Sequence, residues 1–255
     1  MDAGTSVEAH GAVRIRVVGV PVDVVPPDEL EGIIAGILAE PGQDQFVFLT
    51  LRGLLRARRN KEYRRLLQNA RLIVPTSPAI VRGAGFLGRT VPARYEPFNF
   101  VIRLLGILEK KRATLYLFGL GKRYLVHVEQ NIRETFPGLR IVGRYPGYYS
   151  RGVERDIITA IKKAAPSVLL VGPGVPKGDR WIQRHKPLFN NGIYLSAPEV
   201  MEIFAERRSR EAEGGFGRAL KRGGATIVHP WWLLRGLSYI WYGILLLVYR
   251  LFQLP

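Results

Sequence analysis

Two turns carry the residues best suited to hold an anion. Gly172-Pro173-Gly174-Val175-Pro176-Lys177 follows the apolar run Ser167–Gly172, and Gly119-Leu120-Gly121-Lys122 follows Ala113–Gly119. Glycines let a backbone approach a phosphate, and a lysine adds charge. In open α/β sheets the ligand crevice lies beyond the carboxyl ends of the strands, where these turns would sit. Neither is a G-x-G-x-x-G fingerprint or a P-loop, and a Gly/Pro turn after a strand is more often only a turn. Other chemistry is sparse. The chain has no cysteine, which removes thiolate nucleophiles, disulfides and iron–sulfur clusters. His10, His127, His185 and His229 show no metal-ligand spacing, so neither a metal nor a cofactor is expected. His127 reads as a surface or packing residue, and His185 reads as exposed. No G-x-S-x-G nucleophile elbow is present.

The elements that must position these turns follow from patterning. Val13–Val25 is β-branched and partly alternating, a strand or hairpin. Pro26-Pro27-Asp28 opens a helix in which Leu30, Ile33, Ile34, Ile37 and Leu38 share a face. Phe46–Leu49 reads as a buried strand and Leu72–Val74 as a short strand that ends at Pro75. Leu54–Ala70 reads as one helix with Arg and Lys on one side. Further helices are expected over Phe98–Lys111, Lys122–Phe136 and Val153–Ala164. Ala113–Gly119 and Ser167–Gly172 read as strands covered on both faces, Arg140–Arg144 as another strand, and Gly192–Leu195 as one more. Strands alternating with helices of this length predict a parallel sheet with right-handed crossovers.

Length and charge narrow the partners. The chain has 255 residues, 47% hydrophobic and 23% charged, enough apolar material for a core. Lysine plus arginine number 38 against 21 acids, a net charge of +17. That excess calls for a polyanionic neighbour: nucleic acid, an anionic membrane surface or phosphorylated substrates. The first residues, MDAGTSVEAHGA, lack the basic start and apolar stretch of a signal peptide. The expected organisation is an unstructured lead over 1–12, an α/β core over 13–205 and a basic, aromatic appendage over 206–255.

The appendage differs from the core. Arg207, Arg208, Arg210, Arg218, Lys221, Arg222, Arg235 and Arg250 face only Glu211 and Glu213 across residues 207–250. Leu237–Tyr249 carries no charge, but it is shorter than the roughly 20 residues that span a bilayer. Extended back to Trp231 it includes Arg235, near enough to an end to snorkel. Trp231, Trp232, Trp241, Arg222, Arg235 and Arg250 are therefore the candidate membrane contacts of an interfacial helix. The competing reading packs this helix on the protein's own core or on another subunit.

The order of segments resembles the WecG/TagA/CpsF family of glycosyltransferases over roughly residues 15–250. The resemblance rests on Ala57-Arg58 through Tyr63-Arg64, Leu66-Leu67-Gln68-Asn69-Ala70, Leu87-Gly88, Pro92-Ala93-Arg94-Tyr95, Phe136–Gly143 followed by Pro146-Gly147-Tyr148-Tyr149, and above all Val171–Ile182, where the family carries G-x-G/A-x-P-K-Q-E-x-W-I. It implies a Rossmann-like α/β core: a mostly parallel sheet flanked by helices. It also implies transfer of N-acetylmannosamine or a similar sugar from a UDP donor to a lipid-linked acceptor, and a basic C-terminal appendage that holds the protein at the cytoplasmic membrane face. The substrate-binding residues it implies here are Arg94, Gly172, Gly174, Lys177 and Trp181, and it suggests oligomers.

Several polar residues of that family's site are replaced. Where the family has T-x-N, this chain has Phe48 and Thr50. The family's P-D-G, whose Asp is the proposed base, is Pro75-Thr76-Ser77. R-x-T-G-x-D-L becomes Arg94-Tyr95-Glu96-Pro97-Phe98-Asn99-Phe100, the Gln of P-K-Q-E becomes Gly178, and the G-G-A-F-D loop becomes roughly Leu195–Glu199. Thr50, Thr76 and Asn99 are thus the degenerate catalytic positions. A threonine hydroxyl is no general base, and Pro97 and Pro198 each remove a backbone donor. The expectation is a glycosyltransferase-fold protein of cell-envelope polysaccharide synthesis without transfer activity. It would act as a membrane-associated scaffold beside a membrane-bound synthesis machine, peripheral or tail-anchored on the cytoplasmic face. The alternative is an active transferase moving an N-acetylhexosamine from a UDP-sugar, with relocated groups such as Glu96, Asp179 or Glu199. A nucleic-acid binder is the third reading; it finds the charge but no recognition module.

Overall fold

A computed structural model describes residues 8–9, 12–205 and 230–253. Six parallel strands form the central sheet: β4 (Gln43–Leu49), β5 (Leu72–Pro75), β6 (Thr114–Phe118), β7 (Arg140–Tyr145), β8 (Val168–Val171) and β9 (Gly192–Ser196), in the order β5-β4-β9-β8-β6-β7. Every strand therefore ends on the same edge. The double burial expected of the apolar runs is met: Leu115 and Leu117 of β6 face one core, Tyr116 and Phe118 the other.

Helices cover both faces. On one side α1 (Leu30–Ala39), α5 (Pro97–Lys110), α6 (Lys122–Thr135) and α9 (Pro198–Phe204) enclose the largest core, centred on Phe46, Phe100, Leu104 and Leu170. On the other, α2 (Leu51–Arg59), α3 (Lys61–Gln68) and α4 (Pro78–Phe86) cover β4 and β5, while α7 (Glu154–Ala164) and α8 (Gly178–His185) cover β6, β8 and β9. Each buried methylene removed from water contributes about 0.8 kcal/mol, so these two layers dominate stability.

Ahead of the sheet, β1 (Glu8–Ala9), β2 (Ala12–Val17) and β3 (Val20–Val24) form an antiparallel hairpin sheet. Within the lead expected to be unstructured, Glu8–Ala9 thus pairs with β2; residues 1–7, 10 and 11 lie outside the described residues. A buried ion pair fastens this hairpin to the sheet. Asp23 takes Arg14 Nε at 2.6 Å and accepts the Ile73 backbone N–H at 2.6 Å, while Arg14 also donates to Ala70 O at 3.0 Å.

Two sequence expectations need correction. Leu54–Ala70 is two helices, because Asn60 adopts an extended backbone and its side chain accepts the Tyr63 N–H at 2.7 Å, capping α3. His185 is buried, with Nδ1 2.9 Å from Trp181 O and its ring 4.6 Å from the Trp181 ring. The 3.6-residue repeat puts Trp181, Ile182 and His185 on one inward face of α8.

The last helix, α10 (Pro230–Leu251), packs across α4 on the flank of α2, β2 and β3. Tyr242 and Leu245 are buried there, while Ile240, Trp241, Ile244, Leu247 and Leu251 face outward. No helix among the described residues is long and apolar enough to cross a membrane.

Candidate functional site

The carboxyl ends of β4 and β5 bring four of the expected site residues together. Thr50 follows β4 and caps α2, its Oγ1 accepting the Gly53 N–H at 3.1 Å. Thr76 follows β5. Its N–H and its hydroxyl both donate to Leu49 O, at 3.0 and 3.2 Å. Arg94 donates its Nε to Thr76 O at 3.1 Å and places a terminal nitrogen 3.7 Å from the Glu96 carboxylate. Asn99, on α5, donates to the same Glu96 at 3.1 Å. The polar groups of this corner thus bond to one another, while the Arg94 and Glu96 side chains stay open to solvent. Beneath them Phe48 meets Phe100 edge to face at 5.4 Å, so an aromatic pair fills the sheet surface below Thr50.

The second group lies on the loop after β8. Gly172 donates its N–H to Phe118 O at 2.7 Å, and a Cβ there would overlap Met201. Pro173 O accepts from Leu120 at 2.6 Å, and Gly174 O accepts from Tyr148 at 3.0 Å. The loops after β6, β7 and β8 are therefore laced into one layer. The glycines serve this close approach: a side chain at Gly119 would run into the Gly172 backbone. Lys177 is exposed in a left-handed conformation at the start of α8. Trp181 points inward and is 5% exposed, donating Nε1 to Glu154 at 2.8 Å. Its ring sits 4.9 Å from Phe118.

Between α2, α3 and α8 lies the most perturbed acid. Asp179 Oδ1 is sealed from solvent and has no hydrogen-bond partner. Burial pushes its carboxyl up to about 7, with Arg56 pulling the other way. Its neighbour Tyr63 is pushed up to about 12, first by burial and then by the Asp179 charge. Tyr63 in turn lies under the Arg56 guanidinium, 5.0 Å from ring centroid to carbon. Gln45 of β4 donates to Asp179 O at 2.9 Å, anchoring α8 to the sheet. A carboxyl titrating near neutral pH beside an arginine and a phenol is equipped to exchange a proton.

The comparisons with known proteins follow this architecture. The model of the glycosyl transferase WecG/TagA/CpsF family matches residues 15–213. The chain belongs to this family. Among curated relatives, a protein of Bacillus subtilis is 22% identical over 181 residues, covering 71% of this chain and 70% of its own length. One of Bacillus spizizenii is 22% identical over 149 residues, covering 58% and 57%. One of Staphylococcus aureus is 21% identical over 151 residues, covering 59% of each. All three are named N-acetylglucosaminyldiphosphoundecaprenol N-acetyl-beta-D-mannosaminyltransferase. The chain thus spans less than two thirds of the length of the Bacillus spizizenii and Staphylococcus aureus relatives.

In this family member the appendage contacts divide. Arg222 lies outside the described residues, as do the side chains of Trp231, Trp232 and Arg235. Trp241 is 46% exposed on the outward face of α10. Arg250 is exposed as well, and it donates to Phe86 O at 2.9 Å and lies 4.7 Å over the Phe86 ring. One face of α10 therefore packs on the protein's own core, and the opposite face is exposed.

The basic run Arg56–Arg59 does more than face solvent. Arg58 donates to Val18 O at 2.7 Å and to the Tyr249 hydroxyl at 2.8 Å, joining α2, the hairpin turn and α10. Arg52, Arg56 and Arg59 line a cavity against α10. Their i, i+4, i+7 spacing was legible, but the apolar surface opposite comes from a helix far away in sequence.

Proposed function

We propose that this chain is a membrane-docked, non-catalytic member of its family, serving cell-envelope polysaccharide synthesis as a scaffold or accessory subunit. One observation carries the reading: where the family pattern calls for a basic carboxylate, Thr76 offers a hydroxyl already donating to Leu49 O, beside an Arg94 whose Nε donates to Thr76 O. A hydroxyl has no pKa suited to deprotonating an acceptor. The aromatic pair Phe48–Phe100 fills the surface beneath that corner.

The outward face of α10 supports docking. Trp241, Ile244, Leu247 and Leu251 are exposed on a helix whose opposite side is fastened to the core, the arrangement of an in-plane interfacial helix. An anionic membrane also answers the net charge of +17.

A second reading keeps transfer activity and rests on Asp179, whose carboxyl titrates near neutral pH with a free Oδ1. One assay separates the two. The chain is incubated with UDP-N-acetylmannosamine and a short-chain prenyl-diphosphate N-acetylglucosamine, and UDP release is followed. No turnover supports the scaffold; turnover abolished by Asp179→Asn supports the second reading.

A further inference from the structure

The groove between α2 and α10 combines two surfaces that water cannot satisfy together. Arg52, Arg56 and Arg59 stand in one row along α2; across from them α10 presents Ile240, Trp241 and Ile244. The cavity they enclose measures about 620 Å³. Among the described residues no carboxylate pairs with Arg52 or Arg59. The walls are held in place, because Arg58 on the same helix bonds both Val18 O and the Tyr249 hydroxyl. The Arg52 and Arg59 guanidinium groups, without a carboxylate partner, favour a phosphate, which they can grip with several donors. The facing wall favours hydrocarbon.

We propose that this groove seats one anionic phospholipid of the bilayer surface, its phosphate on Arg52 and Arg59 and the start of its acyl chain along Ile240, Trp241 and Ile244. The proposal rests on the membrane-docking reading and adds a headgroup site on α2, outside the C-terminal appendage. Two features favour a lipid over a polar anion. The cavity has the size of a small-molecule site, room for a headgroup and the first methylenes. The outward face of α10 also continues past the groove through Leu247 and Leu251, so a tail leaving it meets apolar surface.

The test uses the full chain and two double variants. Arg52→Gln/Arg59→Gln removes the outer arginines and leaves Arg56 on Tyr63. Lys162→Gln/Lys163→Gln removes equal charge from the exposed side of α7. Each variant is checked for unchanged thermal unfolding, and co-sedimentation with phosphatidylglycerol-rich and phosphatidylcholine vesicles is measured. Wild type is expected on the anionic vesicles only. The arginine variant should bind about 25-fold more weakly, since each arginine near an anionic surface contributes about fivefold. The lysine variant should bind as wild type does. Equal weakening in both variants, or none in the arginine variant, overturns the site while leaving membrane docking intact.

If wild type pellets with neither vesicle, docking fails and the groove is judged alone, by calorimetry with monomeric short-chain phosphatidylglycerol. Saturable heat lost in the arginine variant upholds the groove. Silence, equal affinity for inorganic phosphate, or a wild-type dimer that the arginine variant abolishes overturns it.

Discussion

Tyr242 of α10 lies so close over Gly83 of α4 that a Cβ on Gly83 would overlap the tyrosine hydroxyl. The same hydroxyl is buried and has no hydrogen-bond partner. A helix distant in sequence is thus fitted to the core through a position only glycine can occupy. Two turns further along, Tyr249 accepts from Arg58, so α10 is held at two levels. Its outward face is set by how the inward face docks.

Gly83→Ala tests that fit. In an unobstructed helix the change would stabilise by about 0.5–1 kcal/mol. Here overpacking should instead destabilise by about 1–3 kcal/mol, read by urea unfolding, with amide exchange quickening in α10 first. A stabilised variant would show that α10 does not sit on α4.

Tyr242→Phe removes the orphaned hydroxyl and keeps the ring. An unsatisfied buried polar group costs about 1–3 kcal/mol. The variant should raise the urea midpoint at unchanged slope. A lower midpoint would mean the hydroxyl has a partner.

Asp23→Ala should be far more harmful. It strands the Arg14 guanidinium and leaves the Ile73 N–H without its acceptor. Removing one side of a buried pair costs about 3–5 kcal/mol. Thermal unfolding should show that loss, and a shift no larger than a surface substitution would place the hairpin off the sheet.

Asp179→Asn should stabilise by an amount that depends on pH. The carboxyl titrates near 3.8 when unfolded and about 7 when folded, so the folded state binds its proton more tightly. Its destabilising effect is absent below about pH 4, grows as pH rises through that interval and is complete above pH 7. Wild type should therefore lose stability relative to Asp179→Asn between pH 4 and pH 8, by a few kcal/mol. Parallel curves would mean that the carboxyl is solvated.

The sheet was readable because its strands are buried on both faces and so appear as unbroken apolar runs, as in Leu115–Phe118 and Val168–Val171. The break at Asn60 was hidden by an Arg/Leu pattern that runs straight through it; a single side-chain cap makes the difference. His185 sits among Gln183, Arg184 and Lys186, whose polarity masks the periodicity that turns it inward. At the site, the replaced positions Thr50, Thr76 and Asn99 were visible as residue types. What they bond to was not, since Leu49, Gly53 and Glu96 become their partners only when β4 and β5 pair and α2 and α5 are set in place. The α2–α10 groove needed two segments some 180 residues apart to meet, as Arg58 and Tyr249 do across 191 positions.

The most direct test of the central claim is calorimetric titration of the full chain with UDP and with UDP-N-acetylmannosamine. A corner with a threonine hydroxyl in place of a carboxylate, already donating to Leu49 O, above a Phe48–Phe100 pair, should give no saturable heat up to millimolar nucleotide. Saturable binding, weakened by Arg94→Ala or Lys177→Ala, would contradict it and restore this chain to the working transferases.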